Sequence, residues 1–450
     1  MAGWLVERSL RFIGGQDLQL GELRGKRTGA GRMKKTSSLA GLLQSGLIFS
    51  FVNFLTGLGN LAFQAVVVKH LPGDGQYGDA NSAISGFLPL LSLASLVATF
   101  AITHYIAHFH TMKDHDRLQG LILGCRKFLF RLTVVGSILV VIVIKPLSNF
   151  FNYNENVMLV TMLCALLGLW SAYVTALCQG LSWFKRLALI GFLSMVLRMA
   201  FGIGVTLRWP TAETMVLATA FSLLANLIIL FWRKDLKLPG KPVSPWGREF
   251  VHYLVVSAAC VVGSYCFMQG DYLIAKKFLP NGDNDAYNVA RQLAGALPTT
   301  VAPLLTVFFT SRSGSRGGSA LAEQMKLIGI YVVGLLTGAG LLYLLREFCV
   351  WVIWRKRSPE AEMMIGQLAL PMVFIGLLQA VAYWALASRW SRITLLYGAL
   401  GGLYWLVLFL HGRSVETLLP TMCLATGTAL VILFVAWFIT MRRYRPSSQT

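Results

Sequence analysis

Twelve apolar runs, separated by shorter polar segments, follow one another along the chain. They lie near residues 39–69, 83–108, 128–147, 157–181, 187–207, 212–232, 250–276, 286–311, 326–345, 363–388, 393–411 and 417–441. A helix needs roughly 20 residues to cross ~30 Å of hydrocarbon, and continuous runs of this length are typical of helices and not of barrel strands. The pattern therefore predicts an all-α integral membrane protein with twelve transmembrane helices.

A weak internal repeat relates the two halves of the chain. The turn LPGDG at 71–75 is similar to LPNGD at 279–283, and the apolar residues that flank each turn also correspond. In a hydrophobic protein, such a repeat indicates a transporter built from two related six-helix bundles. The predicted segments are a basic cytoplasmic arm (1–37), a first bundle (38–232), a cytoplasmic linker (233–249), a second bundle (250–441) and a cytoplasmic tail (442–450).

Composition and charge agree with this interpretation. Hydrophobic residues make up 56% of the chain and charged residues 13%, which is too apolar for a soluble core. The net charge of +21 comes from basic residues concentrated in the arm and in alternate connections, so both ends of the chain are predicted to be cytoplasmic. Membrane lipid, and not nucleic acid, is then the expected partner of the basic arm. Met33-Lys34-Lys35 would also serve as a translation start.

The motifs that would indicate an enzyme or a pump are absent from the sequence. There is no Gly-rich phosphate loop ending in Lys-Ser/Thr and no His-Glu-x-x-His, and the seven cysteines form no CxxC pair. We therefore predict no enzymatic activity, no catalytic residue, no cofactor and no metal site. Four histidines near the end of the second run are interpreted as a solvated interfacial set and not as metal ligands: His104, His108, His110 and His115.

Charges inside the apolar runs are the first candidates for function, because a charge at the bilayer centre costs roughly 2.5–3.5 kcal/mol on insertion scales and normally faces protein or a watery cavity. Arg198 lies near the middle of the fifth run, where it contacts either a substrate cavity or a carbonyl or distant acid that holds the packing. Asp271 and Arg291 lie at similar depths in neighbouring runs, so they are predicted to form an ion pair. That pair is either structural or part of a gate or proton-sensitive site.

Uncharged polar residues form a second group of candidates. Asn53, Thr56, Asn60 and Gln64 share one face of the first helix, because they follow a three-four-four spacing. Asn288 and Gln292 lie on the same stripe as Arg291. These faces either line a hydrated cavity or join helices, and the sequence favours neither.

Two stretches carry a family resemblance: GNLAFQAVVVKHLPGDGQYGDANSAISGFLPLLSLA at 59–94 and GDYLIAKKFLPNGDNDAYNVARQLAGALPTTVAPLL at 270–305. They resemble polysaccharide biosynthesis proteins, the Wzx-like lipid-linked oligosaccharide flippases of the multidrug/oligosaccharidyl-lipid/polysaccharide exporter superfamily. With the twelve spans, the resemblance extends over roughly residues 38–441. Family members often have glycine where this chain has Pro72 and Pro280.

The resemblance implies two bundles that alternate around a central cavity in a bacterial inner membrane. The substrate would be a polyprenyl-diphosphate-linked oligosaccharide for surface polysaccharide biosynthesis, with a polysaccharide polymerase and other assembly proteins as partners. Arg198 and Arg291 are then the candidates for contact with the diphosphate, since arginine presents a fixed fork to phosphate oxygens. A cation-coupled multidrug exporter of the same superfamily is the first alternative, although runs 1 to 6 show no buried acid. A membrane glycosyltransferase or polymerase is the second.

Overall fold

A computed structural model of the chain describes residues 39–71, 75–231, 247–314, 320–354, 358–388 and 390–443. The predictions for the arm, for Pro72, for linker residues 233–246 and for the tail from residue 444 fall outside these ranges. Within them, the regular secondary structure is helical throughout. The predicted all-helical membrane fold is confirmed, and each of the twelve apolar runs lies on a helix or on a broken helix.

Fifteen helices are described. They are α1 (Leu39–Val68), α2 (Gln76–Leu91, with a π-helical turn at Ala83–Phe87), α3 (Leu93–Met112), α4 (His115–Phe151), α5 (Glu155–Gly180), α6 (Phe184–Arg208), α7 (Ala212–Phe231), α8 (Arg248–Met268), α9 (Gly270–Phe278), α10 (Asn281–Gly314), α11 (Ala320–Leu344), α12 (Arg346–Trp354), α13 (Pro359–Ala387), α14 (Ser391–His411) and α15 (Val415–Arg443).

Several helices are long and apolar enough to cross a membrane. Among the described residues there are seven such helices, or nine when two bent helix pairs are each taken as one span. The bent pairs are α2 with α3, at 56°, and the later part of α11 with the start of α12, at 76°. The sequence predicted the second run as one continuous helix and the connection after the ninth run as a loop, and the structure differs in both places.

Local chemistry accounts for the break within the second run. Pro89 has no backbone N–H, and a π-helical turn precedes it directly. Proline and π-helical turns are the usual causes of a sharp bend in a helix. The bend therefore lies where the residues at 83–92 favour one, and the Tyr265 hydroxyl donates to the carbonyl of Gly86 within the π-helical turn at 3.0 Å.

The seventh run is also broken, at Gln269, because another helix approaches it closely. The indole N–H of Trp405 donates a hydrogen bond of 3.1 Å to the carbonyl of Gly270. A Cβ at residue 270 would lie 2.5 Å from Trp405 Cδ1, so only glycine leaves room for the indole. A tryptophan distant in sequence thus divides what the hydropathy pattern predicted as one helix.

Helices of the first half pack chiefly on one another, with α5 against α3 and α7, and α6 against α7. In the second half, α10 packs against α13, and α8 and α15 pack against α14. The two halves meet where α2 and α3 contact α8, α9 and α10. Most of the polar side chains discussed below lie at this meeting surface.

Candidate functional site

Asp271 and Arg291 form an ion pair in the interior of the second half. Arg291 Nε lies 2.5 Å from Asp271 Oδ2, and Arg291 Nη2 lies 3.2 Å from Asp271 Oδ1. The two side chains are 0% and 1% exposed. Tyr287 donates a further hydrogen bond to the same carboxylate, and Arg291 also donates to the carbonyl of Met268. Both charges are therefore compensated inside the protein, as buried charges must be.

A second polar cluster joins the two halves, and we call it the clasp. Its members are Gly75, Tyr77, Gly78, Asp79, Asn81 and Ser82 from the first half, and Lys276, Asp285, Asn288 and Gln292 from the second. It lies at the end of the protein where α2 and α10 begin and α9 ends, which the charge distribution predicts to be the outer end.

Main-chain groups supply one part of the clasp. The N–H of Gly75 donates to Asp285 Oδ2 at 2.8 Å, and the N–H of Gly78 donates to Asp285 Oδ1 at 2.6 Å. Gly75 has a φ of +94°, which favours glycine. A Cβ at residue 78 would lie 2.4 Å from Asn284 Nδ2, so glycine is also required there for the close approach of α10.

Side chains supply the other part of the clasp. Lys276 on α9 forms an ion pair with Asp79 on α2. Asn81 Nδ2 donates to Asn288 Oδ1 at 2.9 Å, and Asn288 Nδ2 donates to Ser82 Oγ at 3.1 Å. The two amide contacts are buried and the ion pair is partly buried, so separating the halves at this end would require water to replace each of them.

Contact between the halves at the opposite end is aromatic. We define the aromatic contact as His104 and Tyr105 on α3 with Phe250 and Tyr253 on α8. His104 stacks on Tyr253 with ring centroids 4.3 Å apart, and the ring centroids of Tyr105 and Phe250 are 5.0 Å apart. The sequence interpretation of His104 as a solvated residue is wrong: its side chain is buried, because α8 covers it.

Arg198 on α6 faces α1 and has a different environment from Arg291. Its Nη1 donates to Asn60 Oδ1 at 3.1 Å, and its Cζ lies 4.9 Å from the centroid of the Phe63 ring. Its Nε is buried without a hydrogen-bond partner among the described residues. Among the residues that the structure describes, no carboxylate lies within 4 Å of Arg198. Its side chain is partly exposed, and no anion of the described ranges neutralises it.

Small residues allow α6 to approach its neighbours so closely. A Cβ at Gly202 would lie 2.6 Å from Ala218 Cβ and 2.9 Å from the Phe63 ring. The Tyr77 hydroxyl donates to Gln292 Oε1 at 2.9 Å, so Tyr77 belongs to the clasp.

The predicted polar residues have different positions. Asn60 binds Arg198, and Gln292 and Asn288 belong to the clasp. Thr56 bonds to the carbonyl of Val52 in its own helix, and Gln64 is buried. The side chain of Asn53 lies outside the described residues. Asn60, Asn288 and Gln292 thus join helices, whereas the bond of Thr56 stays within its own helix and no bond of Gln64 is described.

Sequence reasoning missed Asp79, Lys276 and Asp285. They lie next to predicted turns, where a charged side chain is normally solvated and attracts no attention. The repeat offered the one signal that could have found them: both charged segments flank corresponding turns, which two related bundles bring to the same side of the membrane.

Comparison with known proteins supports the class of protein. Residues 124–316 match the family described as "Polysaccharide biosynthesis protein". Among curated proteins, no match is found. The family match includes the second of the two stretches on which the sequence resemblance was based.

Solved structures of similar fold are MATE transporters. They include an outward-facing multidrug resistance MATE family transporter of the MOP superfamily, with 13% identity, a TM-score of 0.66, and coverage of 92% of this chain and 100% of that one. The inward-facing form of such a transporter has 13% identity, a TM-score of 0.61, and coverage of 90% and 99%. The Vibrio cholerae MATE transporter VcmN in its bent form has 11% identity, a TM-score of 0.65, and coverage of 91% and 99%.

At this level of identity, the likeness to the solved structures shows the fold alone. The predicted resemblance to polysaccharide biosynthesis proteins is confirmed over residues 124–316. The apolar helices and the likeness to solved structures together support a multi-pass membrane protein with the fold of MATE transporters.

Proposed function

We propose that the protein moves a polyprenyl-diphosphate-linked oligosaccharide from the cytoplasmic to the outer leaflet of a bacterial inner membrane, for surface polysaccharide biosynthesis. The observation that supports this most strongly is the position of Arg198. This arginine lies within a helix long and apolar enough to span a membrane, and among the described residues no carboxylate lies within 4 Å of it.

The geometry of Arg198 suits an anionic headgroup. A guanidinium has five N–H donors in a rigid fork, and the described residues use only the Nη1 donor, toward Asn60. The remaining donors match the oxygens of a phosphate or diphosphate, which arginine binds in bidentate fashion. A cationic drug would meet repulsion at this position, because no carboxylate among the described residues forms an ion pair with the arginine.

Arg291 is a weaker candidate for the same role. Asp271 already occupies its Nε and Nη2, so a substrate phosphate would have to displace a buried carboxylate. We therefore assign Arg291 first to the ion pair with Asp271, and only Arg198 to substrate in the state described.

The clasp and the aromatic contact provide the two ends that alternating access requires. In this proposal the clasp opens when the cavity faces outward, and the aromatic contact opens when it faces inward. Each contact joins elements of both halves, so each can separate while the helices within a half stay packed. A polysaccharide polymerase and other assembly proteins would act on the product at the outer surface.

The test is transport by the purified full-length protein in liposomes, with a fluorescent polyprenyl-diphosphate sugar as the substrate. Arg198→Ala is expected to lower the transport rate at least about tenfold, since charge-assisted hydrogen bonds each contribute roughly 1.5–3 kcal/mol. Arg198→Lys should give an intermediate rate, because it keeps the charge and loses the fork. The matched control is Arg208→Ala on the same helix, which removes an exposed cation and should transport normally.

Transport by Arg198→Ala at the wild-type rate would contradict the proposal. The MATE-like fold favours one alternative, a cation-coupled multidrug exporter. In that case the liposomes would expel a cationic dye, and removing Arg198 would speed the export or leave it unchanged. Since a transporter of either kind has no need of catalytic residues, release of free sugar from the labelled lipid would indicate the enzymatic alternative instead.

A further inference from the structure

We propose that a groove between α4 and α5 binds the phosphate of an acidic glycerophospholipid from the cytoplasmic leaflet. The groove has a volume of about 280 Å³ and is lined by Arg126, Lys127, Phe130, Arg131 and Trp170. This site is separate from the proposed transport route, since α4 and α5 contribute neither Arg198 nor any residue of the clasp.

Charge is the first argument. Three of the five lining residues are cations, and within the described ranges no carboxylate lies within 4 Å of any of them. All three are exposed, so their charge is available to a ligand. The charge distribution of the whole chain predicts that this end of α4 is cytoplasmic, which is the leaflet surface where acidic lipids attract Lys and Arg.

The second argument is the shape of the groove wall. Trp170 is held in place by a hydrogen bond of 3.1 Å from its indole N–H to Thr133 Oγ1. Phe130, which is 62% exposed, forms another apolar wall. Aromatic rings at the level of the lipid headgroups are typical of membrane interfaces, because their apolar body and polar edge suit that boundary.

The third argument is the surface that continues from the groove along α4. Val134, Ile138 and Val141 are exposed on the same helix, and Val141 is 77% exposed. In the most apolar window of α4 only 6% of the residues are buried, so this helix is lipid-facing. From Arg131 to Val141 the helix rises about 15 Å, which is half of the ~30 Å hydrocarbon thickness. The apolar surface of α4 is therefore as long as one leaflet is thick. A lipid whose phosphate lies in the groove can place its acyl chains along this surface.

The occupant that fits all three observations is a lipid with a charged phosphate and two acyl chains. A free inorganic anion would bind the three cations but would make no contact with the exposed apolar face of α4. A zwitterionic lipid carries its own ammonium group, which the three cations would repel.

Native mass spectrometry of the full-length protein with added phosphatidylglycerol or phosphatidylcholine tests the proposal. The expected result is one phosphatidylglycerol retained at a collision energy that removes phosphatidylcholine. The combined changes Arg126→Gln, Lys127→Gln and Arg131→Gln should weaken binding of phosphatidylglycerol about a hundredfold. Each of the three cations is expected to strengthen binding to an acidic lipid about fivefold, and the three contributions multiply. These side chains are exposed, so the variant should keep the wild-type melting temperature.

The matched control removes three other exposed cations from segments predicted to be cytoplasmic: Arg186→Gln, Arg392→Gln and Arg442→Gln. It changes the net charge equally and should retain the lipid. Equal loss in both triple variants would overturn the proposal, because binding would then follow total charge. Equal retention of phosphatidylcholine, or displacement of the bound lipid by a polyprenyl diphosphate, would overturn it as well. None of these outcomes depends on transport, so a negative result here would leave the proposed transport function unaffected, and failure of the transport test would leave this proposal unaffected.

Discussion

Lys276 and Asp79 form an ion pair that joins the two halves of the chain, although 197 residues separate them in sequence. Lys276 is 7% exposed and Asp79 is 24% exposed. Removing one partner should therefore lower the free energy of unfolding more than removing both partners. We expect the double variant Asp79→Asn with Lys276→Gln to be more stable than the sum of the single changes predicts, by about 0.5–3 kcal/mol. Unfolding in mixed micelles, followed as a function of denaturing detergent, measures this coupling.

An exposed ion pair within one helical turn provides the control. Arg117 and Asp114 are 3.4 Å apart, and their side chains are 59% and 34% exposed. The same double cycle on this pair should give a coupling within about 0.5 kcal/mol of zero, since water screens exposed pairs. Equal coupling in the two cycles would show that the contact between Lys276 and Asp79 does not hold the halves together.

The buried ion pair of Asp271 and Arg291 is either structural or part of a gate or proton-sensitive site, and its variants can distinguish these alternatives. Arg291→Leu leaves a buried carboxylate without its counterion, so we expect a loss of roughly 3–5 kcal/mol or failure to accumulate in the membrane. Asp271→Leu combined with Arg291→Met removes both charges, and it should recover most of the stability.

Transport by that double variant decides the role of the pair. A normal rate would make the pair purely structural. A stable protein without transport would make it part of a gate or of a proton-sensitive site. The readout is the initial transport rate per inserted protein, so that a change in expression is not counted as a change in activity.

Gly78 is predicted to be indispensable to the clasp. In Gly78→Ala the new Cβ would lie 2.4 Å from Asn284 Nδ2 and 2.6 Å from Asp285 Oδ1, so the side chains of Asn284 and Asp285 would have to move and the bond from the N–H of residue 78 to Asp285 would weaken. We expect a lower melting temperature and greater labelling, by a membrane-impermeant maleimide, of a cysteine placed at Ser85. Gly204→Ala is the control, because nothing lies within 4 Å of that site, and its stability should change by no more than about 1 kcal/mol. Equal labelling of the two variants would contradict the prediction.

Asn60→Asp should inactivate the transporter while leaving it folded. The change places a carboxylate at the position whose Oδ1 now lies 3.1 Å from Arg198 Nη1. The guanidinium would then be neutralised by the protein itself and would attract a diphosphate less strongly. We expect transport to fall about as far as in Arg198→Ala, whereas Asn60→Ala should have a smaller effect. If Asn60→Asp transports as well as the wild type, the positive charge of Arg198 is not what the substrate recognises.

The sequence predicted the helices well because each apolar run is far longer than a strand needs, and because lipid leaves the backbone few alternatives. The same pattern could not predict the break at Gln269, since its cause is Trp405, a residue more than a hundred positions away. Hydropathy describes the solvent around a segment and contains no information about which helix lies beside it.

The candidate site also has a part that the sequence could predict and a part that it could not. Asp271 and Arg291 could be placed near each other because they lie on consecutive runs with a short turn between them. The clasp depends instead on bonds between residues more than 190 positions apart, each of which alone resembles an ordinary surface polar group. Similarly, Asn60 could be placed on a polar helix face, but its bond to Arg198 depends on how α6 packs against α1.

The bonds from Gly75 and Gly78 to Asp285 involve main-chain N–H groups on one side and a carboxylate on the other. Every residue except proline has such an N–H group, so at Gly75 and Gly78 the second half recognises the path of the backbone in the first half. The other contacts of the clasp depend on the side chains of Tyr77, Asp79, Asn81 and Ser82. A related protein that donated its first half to a chimera would therefore have to keep glycine at the two backbone positions and these four side chains, while the rest of that half is free to diverge.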